Sequence, residues 1–181
     1  IVCRIGGLRP SAVCVVATVR ALKHHGGDPD GGIDAIERGA ENLRRHVGIV
    51  GEFGLNAVVA VNRFPTDTDE ELEVVRKLGL EFGAHAAELN DAFERGGEGA
   101  AALAEAVVDA AEQPNQFDFI YALDAPIADK IEAICKRVYG AEGVAFLPAA
   151  QEKLRTFTEQ GYDTLPVCMA KTHLSLSHDP T

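Results

Sequence analysis

A short, unbroken apolar run, Ala57-Val58-Val59-Ala60-Val61, stops abruptly at Asn62-Arg63-Phe64-Pro65. A β-branched run with no polar alternation reads as a buried parallel strand, covered by helices on both faces. Pro65 has no N–H to give to a ladder, so the chain must turn there. The strand therefore delivers an amide, a guanidinium and an aromatic ring at its carboxyl end. In open α/β sheets that is the end where ligands bind.

The flanking sequence supports an α/β reading. Ser11–Val19 is a second buried-strand candidate, followed by a His- and Gly-rich loop from His24 to Gly32. Ile36, Ala40, Leu43, Val47 and Val50 step by four and three, which predicts one amphipathic helix over Ile33–Val50. Thr68 followed by Glu71 predicts a capping box, and Leu72, Val75, Leu78 and Phe82 give the helix behind it an inward stripe. His85–Leu89 reads as a shorter strand. A helix with Leu103, Val107 and Ala111 inward follows Gly96-Gly97-Glu98-Gly99. Pro126 opens a helix striped by Ile127, Ile131, Ile134 and Val138. Ala149–Gln160 forms another, with Leu154 and Phe157 facing in. Further strands are expected at Phe117–Tyr121 (or an extended packing segment), Gly143–Leu147 and Leu165–Ala170. The alternation argues for a mostly parallel, doubly wound α/β sheet flanked by helices. No repeat, linker or low-complexity tract divides residues 1–181, so a single α/β region is expected.

Charge narrows the function. The net charge of −11 argues against nucleic acid as the main partner, because phosphate neutralisation needs a basic excess. No apolar run approaches the roughly 18 residues that span a bilayer, and no signal peptide is visible. Cys3, Cys14, Cys135 and Cys168 are widely spaced, without a C-x-x-C pair. They read as small buried hydrophobes in a reducing cytoplasm.

Several segments could carry chemistry. Asn62 can donate to and accept from a heterocycle edge, Arg63 can fork onto a phosphate or carboxylate, and Phe64 can stack on a planar ring. The alternative is a capped strand end with Phe64 in the core. Arg20 and Lys23 after the first strand suit a polyanion. His24 and His25 suggest a metal, but no partner ligands stand at regular spacing. Phe93 precedes a glycine-rich turn into a helix, where a ligand could approach the backbone or the turn could simply be tight. No phosphate loop of the form G-x-x-x-x-G-K-[ST] occurs. Lys171, Thr172 and His173 follow the last expected strand, so three strand ends would carry polar or cationic groups along one sheet edge.

These segments together resemble formate–tetrahydrofolate ligase. The resemblance rests on Val16–Lys23 with Gly26-Gly27, Asn62–Thr68, Gly96–Gly99, Ile134–Val138 with Tyr139-Gly140-Ala141, and Leu165–Thr172 with Ser175-Leu176-Ser177 and Asp179-Pro180. They occur in family order over essentially the whole chain. The resemblance implies ligation of formate to tetrahydrofolate at the expense of ATP, through formyl phosphate, with Mg²⁺ and a monovalent cation as further candidates. It implies that Phe64 and Phe93 sandwich the pterin, with Leu89 lining the same pocket. The family often carries Trp at the position of Phe93; Phe keeps the stacking face but lacks the indole N–H. Asn62, Arg63, Arg20 and Lys23 are then the nucleotide- or anion-binding candidates. The family's phosphate loop and the groups holding formyl phosphate lie upstream of these motifs, so the catalytic residues are expected outside this sequence. By resemblance the chain is an incomplete P-loop-NTPase-like unit from the C-terminal side of a cytoplasmic, homo-oligomeric (typically tetrameric) enzyme, inactive alone. The alternatives are a non-catalytic folate- or pterin-binding module and a regulatory or assembly subunit that binds no ligand.

Overall fold

The computed structural model describes residues 1–169. In chain order its elements are α1 (Val2–Ile5), β1 (Ala12–Ala17), α2 (Val19–His25), α3 (Ile33–Gly39), α4 (Glu41–Glu52), β2 (Asn56–Asn62), α5 (Asp69–Glu81), β3 (Ala86–Asn90), α6 (Ala92–Arg95), α7 (Ala101–Glu112), α8 (Ile127–Arg137) and α9 (Pro148–Glu159). Single 3₁₀ turns occupy Gly96–Ala100 and Tyr162–Thr164. The backbone forms two compact units. One is Pro10–Phe117; the other joins Ile1–Arg9 to the described residues from Asp118 onward.

The larger unit holds a three-stranded sheet in the order β1-β2-β3, with both pairs parallel. β2 lies between the other two, and Ala57–Val61 are all buried, as an uninterrupted apolar run requires. Successive side chains point to opposite faces. Ala57, Val59 and Val61 join the core cluster formed with Leu43, Val47, Leu72 and Val75 of α4 and α5. Val58 and Ala60 point the other way, toward the face covered by α7. Each valine fully buried in this way contributes roughly 1.5–3 kcal/mol. The sheet is thus parallel, with helices on both faces.

Coverage fades toward β1. Cys14 and Val16 are paired in register with Val58 and Ala60 and so share the α7 face, yet both are exposed. The expectation of buried cysteines fails here, because α7 reaches β1 less fully than it reaches β2 and β3. Cys168 is exposed as well, while Cys3 and Cys135 are half-buried.

The stripe Ile36, Ala40, Leu43, Val47 and Val50 is buried throughout, but the expected single helix is two, α3 and α4. The break follows a close crossing of α3 over α2. A Cβ on Gly39 would stand 1.8 Å from the Leu22 carbonyl oxygen, and one on Gly26 2.0 Å from the Ala35 carbonyl oxygen. The start of the expected loop is also helical: Thr18 caps α2, its hydroxyl accepting from the Ala21 N–H at 3.1 Å, and the helix runs to His25. The capping box of α5 forms as expected, with both reciprocal bonds between Thr68 and Glu71.

The smaller unit contains α1, α8 and α9. Residues 143–147 and 165–169 are not strands, contrary to expectation, and 117–121 form no strand either, which leaves the alternative of a packing segment there. Their backbone groups find other partners. The Val167 N–H donates to the Tyr121 hydroxyl, and the Leu165 carbonyl accepts from the Lys130 ammonium. Lys130 is fully buried and also donates to the Asp163 carbonyl. Phe157, expected to face in, is 44% exposed and lies 6.3 Å from the Tyr162 ring. The Lys171–His173 segment and the rest of the final expected strand lie outside the described residues.

Candidate functional site

The parallel sheet aligns the carboxyl ends of its strands, and most of the predicted site residues sit in the segments that follow them. β2 ends at Asn62, whose side-chain oxygen accepts from the Asn90 amide of β3 at 2.8 Å. This bond ties two neighbouring strand ends and orients both amides. The Arg63 N–H extends the tie by donating to the Asn90 carbonyl at 3.1 Å.

Beyond Arg63 the chain folds into a stiff corner. The Phe64 N–H donates to the Asp67 carboxylate at 2.9 Å, and the Asp67 N–H returns to the Phe64 carbonyl at 3.0 Å. The Arg63 guanidinium bonds Asp69 in the first turn of α5 at 2.9 Å. Glu71, in the same turn, meets the Lys23 ammonium of α2 at 2.6 Å, with both side chains largely shielded. The Lys23 hydrogen bond is the main cause holding the Glu71 carboxyl below its ordinary value. One helical turn before Lys23, the Arg20 guanidinium lies over the Phe64 ring, 3.9 Å from its centroid. Arg20 and Lys23, which follow the first strand as expected, stand on helix α2, and both are engaged with the corner 63–71.

The segment after β3 is built differently. The Asp91 N–H bonds the Gly99 carbonyl at 2.9 Å, closing a loop that contains α6 and the 3₁₀ turn. A Cβ on Gly99 would lie 2.3 Å from the Asp91 carbonyl oxygen, so only glycine permits this closure. Phe93 projects from α6 with 97% of its surface exposed.

Between these two segments lies a cleft of about 270 Å³ whose walls include Arg63, Leu89, Arg76, Glu88 and Arg95. Arg76 donates to the Ala87 carbonyl and pairs with Glu73 and Glu88. Arg95 alone of the three arginines carries no ion pair among the described residues. Of the predicted site residues, Arg63 and Leu89 line this cleft; Asn62, Phe64, Phe93, Arg20 and Lys23 do not. Arg76 and Glu88 escaped sequence reasoning because a helix arginine and a strand glutamate give no local signal.

His25 and His46 are both pushed down in pKa, by burial first and then by a neighbouring imidazole, His24 for His25 and His25 for His46. No group of three or more His, Cys, Asp or Glu side chains among the described residues is placed to hold a metal ion.

A family model described as formate–tetrahydrofolate ligase matches residues 1–181. The chain belongs to this family. Among relatives, it is 47% identical to a mouse (Mus musculus) protein named C-1-tetrahydrofolate synthase, cytoplasmic, over 98% of this chain and 20% of that protein. It is 44% identical to the formate–tetrahydrofolate ligase of Desulforamulus reducens, over 98% of this chain and 34% of that protein. A Saccharomyces cerevisiae relative, 43% identical over 99% of this chain and 20% of its own length, is named as mitochondrial. The chain thus spans a fifth to a third of the length of these relatives. No helix among its described residues is long and apolar enough to cross a membrane.

Proposed function

We propose that these 181 residues form the folate-receiving part of a cytoplasmic, homo-oligomeric enzyme that ligates formate to tetrahydrofolate with ATP. Family membership supports the reaction class. The observation that carries the site is the pair of aromatic rings on adjacent strand-end segments. The Phe64 backbone is held in its corner by Asp67, and Phe93 is left almost entirely bare. A bare phenyl ring costs the free protein hydration, which a stacked pterin would relieve. Leu89 offers an apolar wall nearby, and the Asn62–Asn90 pair offers donors and acceptors to a heterocycle edge.

On this reading the reaction proceeds through formyl phosphate, which turns formate into an electrophile that the folate amine attacks. The residues described do not themselves fit ATP or Mg²⁺: the sequence has no phosphate loop, and the described acidic side chains form no metal cluster. Phosphate activation is therefore assigned to residues outside this sequence, and the residues here orient the folate. Arg63 is the anion-binding candidate with the best placement, on the wall of the cleft, and Arg95 joins it there.

Calorimetric titration of tetrahydrofolate into the protein tests this. Phe64→Ala and Phe93→Ala should each weaken binding about tenfold, since an aromatic pair contributes about 0.5–1.5 kcal/mol beyond the area it buries. Undiminished affinity in both variants would remove the pocket from this segment.

A further inference from the structure

Arg20 is one of two cations that α2 points at the corner 63–71, and neither faces an open anion site. Lys23 is matched to Glu71 at 2.6 Å. The Arg20 guanidinium is laid over the Phe64 ring at 3.9 Å, within the range at which a cation is drawn to an aromatic face. A phenyl ring has two faces, and this contact occupies one of them. A planar ligand stacking on Phe64 must take the other.

The hydrogen bonds of the rest of the corner fix the backbone rather than the ring. The Phe64 N–H is locked to Asp67, and the following helix is locked by its capping box. None of these bonds reaches the side chain. Phe64 is half-buried, and the guanidinium laid on its ring is that of Arg20.

Resting on the folate-site reading above, we propose that Arg20 is a positioning residue. It holds the Phe64 ring against α2, so that the opposite face is presented, preset, to the planar heterocycle of the substrate. It acts through Phe64 and does not itself bind the phosphates of a nucleotide. Presetting the ring removes the loss of side-chain freedom that binding would otherwise bring.

The test uses the full-length enzyme, with calorimetry for tetrahydrofolate and steady-state kinetics for ATP. Arg20→Met covers the ring without charge, and Arg20→Lys keeps a cation. The Kd for tetrahydrofolate should rise about twofold to fivefold in Arg20→Met, the scale of a cation–π contact at an exposed site. Arg20→Lys should recover most of that loss, and the KM for ATP should not rise in either. In a Phe64→Ala background, Arg20→Met should have no further effect on folate affinity, because the two residues act as one unit. Arg20 is exposed, so the variants should stay folded and unfold within a few degrees of wild type. Unchanged folate affinity in Arg20→Met beside a large loss in Phe64→Ala would overturn the positioning role and leave the pocket standing. A raised KM for ATP would overturn it in favour of direct anion binding. Unchanged affinity in Phe64→Ala would overturn the underlying pocket and this role with it.

Discussion

Gly39 and Gly48 both sit in helices, and replacing each with alanine should shift stability in opposite directions. In an exposed helix interior, alanine is favoured over glycine by about 0.8–1 kcal/mol. Gly48 of α4 has open space where its Cβ would go, so Gly48→Ala should gain about that amount. At Gly39 the added carbon would stand 1.8 Å from the Leu22 carbonyl oxygen, 2.7 Å from the Gly26 nitrogen and 2.8 Å from the Leu22 carbonyl carbon. All three are backbone atoms, so no rotamer change can relieve the contact. Helices α2 and α3 must separate by more than an ångström. Overpacking of this kind costs typically about 1–3 kcal/mol, and the full backbone clash places Gly39→Ala at the upper end, beyond anything helix propensity returns. With a shift of about 2–4 °C per kcal/mol for a protein of this length, Gly39→Ala should melt about 4–12 °C below wild type and Gly48→Ala a few degrees above it. Far-UV circular dichroism melts, with urea midpoints as a second probe, measure both. A Gly39→Ala variant as stable as wild type would refute the close crossing.

Two further perturbations test other parts of the fold. Glu71→Gln keeps the capping geometry and removes the charge facing Lys23. The depressed carboxyl means that the wild-type advantage is fully present above the ordinary value of 4.5 and is lost as pH falls through the lower folded value. The pair is 12–15% exposed, between the surface and buried cases, so the variant should lose about 1–2 kcal/mol at neutral pH. The gap between urea midpoints should narrow on acidification below pH 4.5, and a gap independent of pH would contradict the pairing. Lys130→Met removes a fully buried ammonium and leaves the carbonyls of Asp163 and Leu165 without that donor. The smaller unit should lose about 1–3 kcal/mol, read as a lower urea midpoint; a higher midpoint would mean that burial of the ammonium outweighs its bonds.

What the sequence made legible was whatever depends on local period. The stripe from Ile36 to Val50, the capping box at Thr68 and the buried run Ala57–Val61 all stand where expected, because each is dictated by its own neighbours. The break after Gly39 was not legible, since it is imposed by α2 crossing from elsewhere in the chain. The strand expected at 165–169 failed for a related reason. An apolar segment reads alike whether a ladder or a tyrosine hydroxyl satisfies its backbone, and here Tyr121 serves Val167. At the candidate site the residue types could be read, but their pairings could not. Nothing near Lys23 announces Glu71, and nothing near Arg20 announces Phe64.

The two strand-end segments differ in how firmly they are anchored. Phe64 follows β2, the strand bonded on both sides, and its corner is cross-braced by Asp67, Asp69 and Lys23–Glu71. Phe93 rides on a four-residue turn after a strand bonded on one side, with almost none of its surface packed. On the proposed reading, one ring is an anvil and the other a jaw. The ordering entropy of closing on a ligand then falls almost wholly on the Phe93 segment, which can move without disturbing the core. Substrates of different bulk would be accommodated by that side, while selectivity for the shape of the stacked ring would be set by the other.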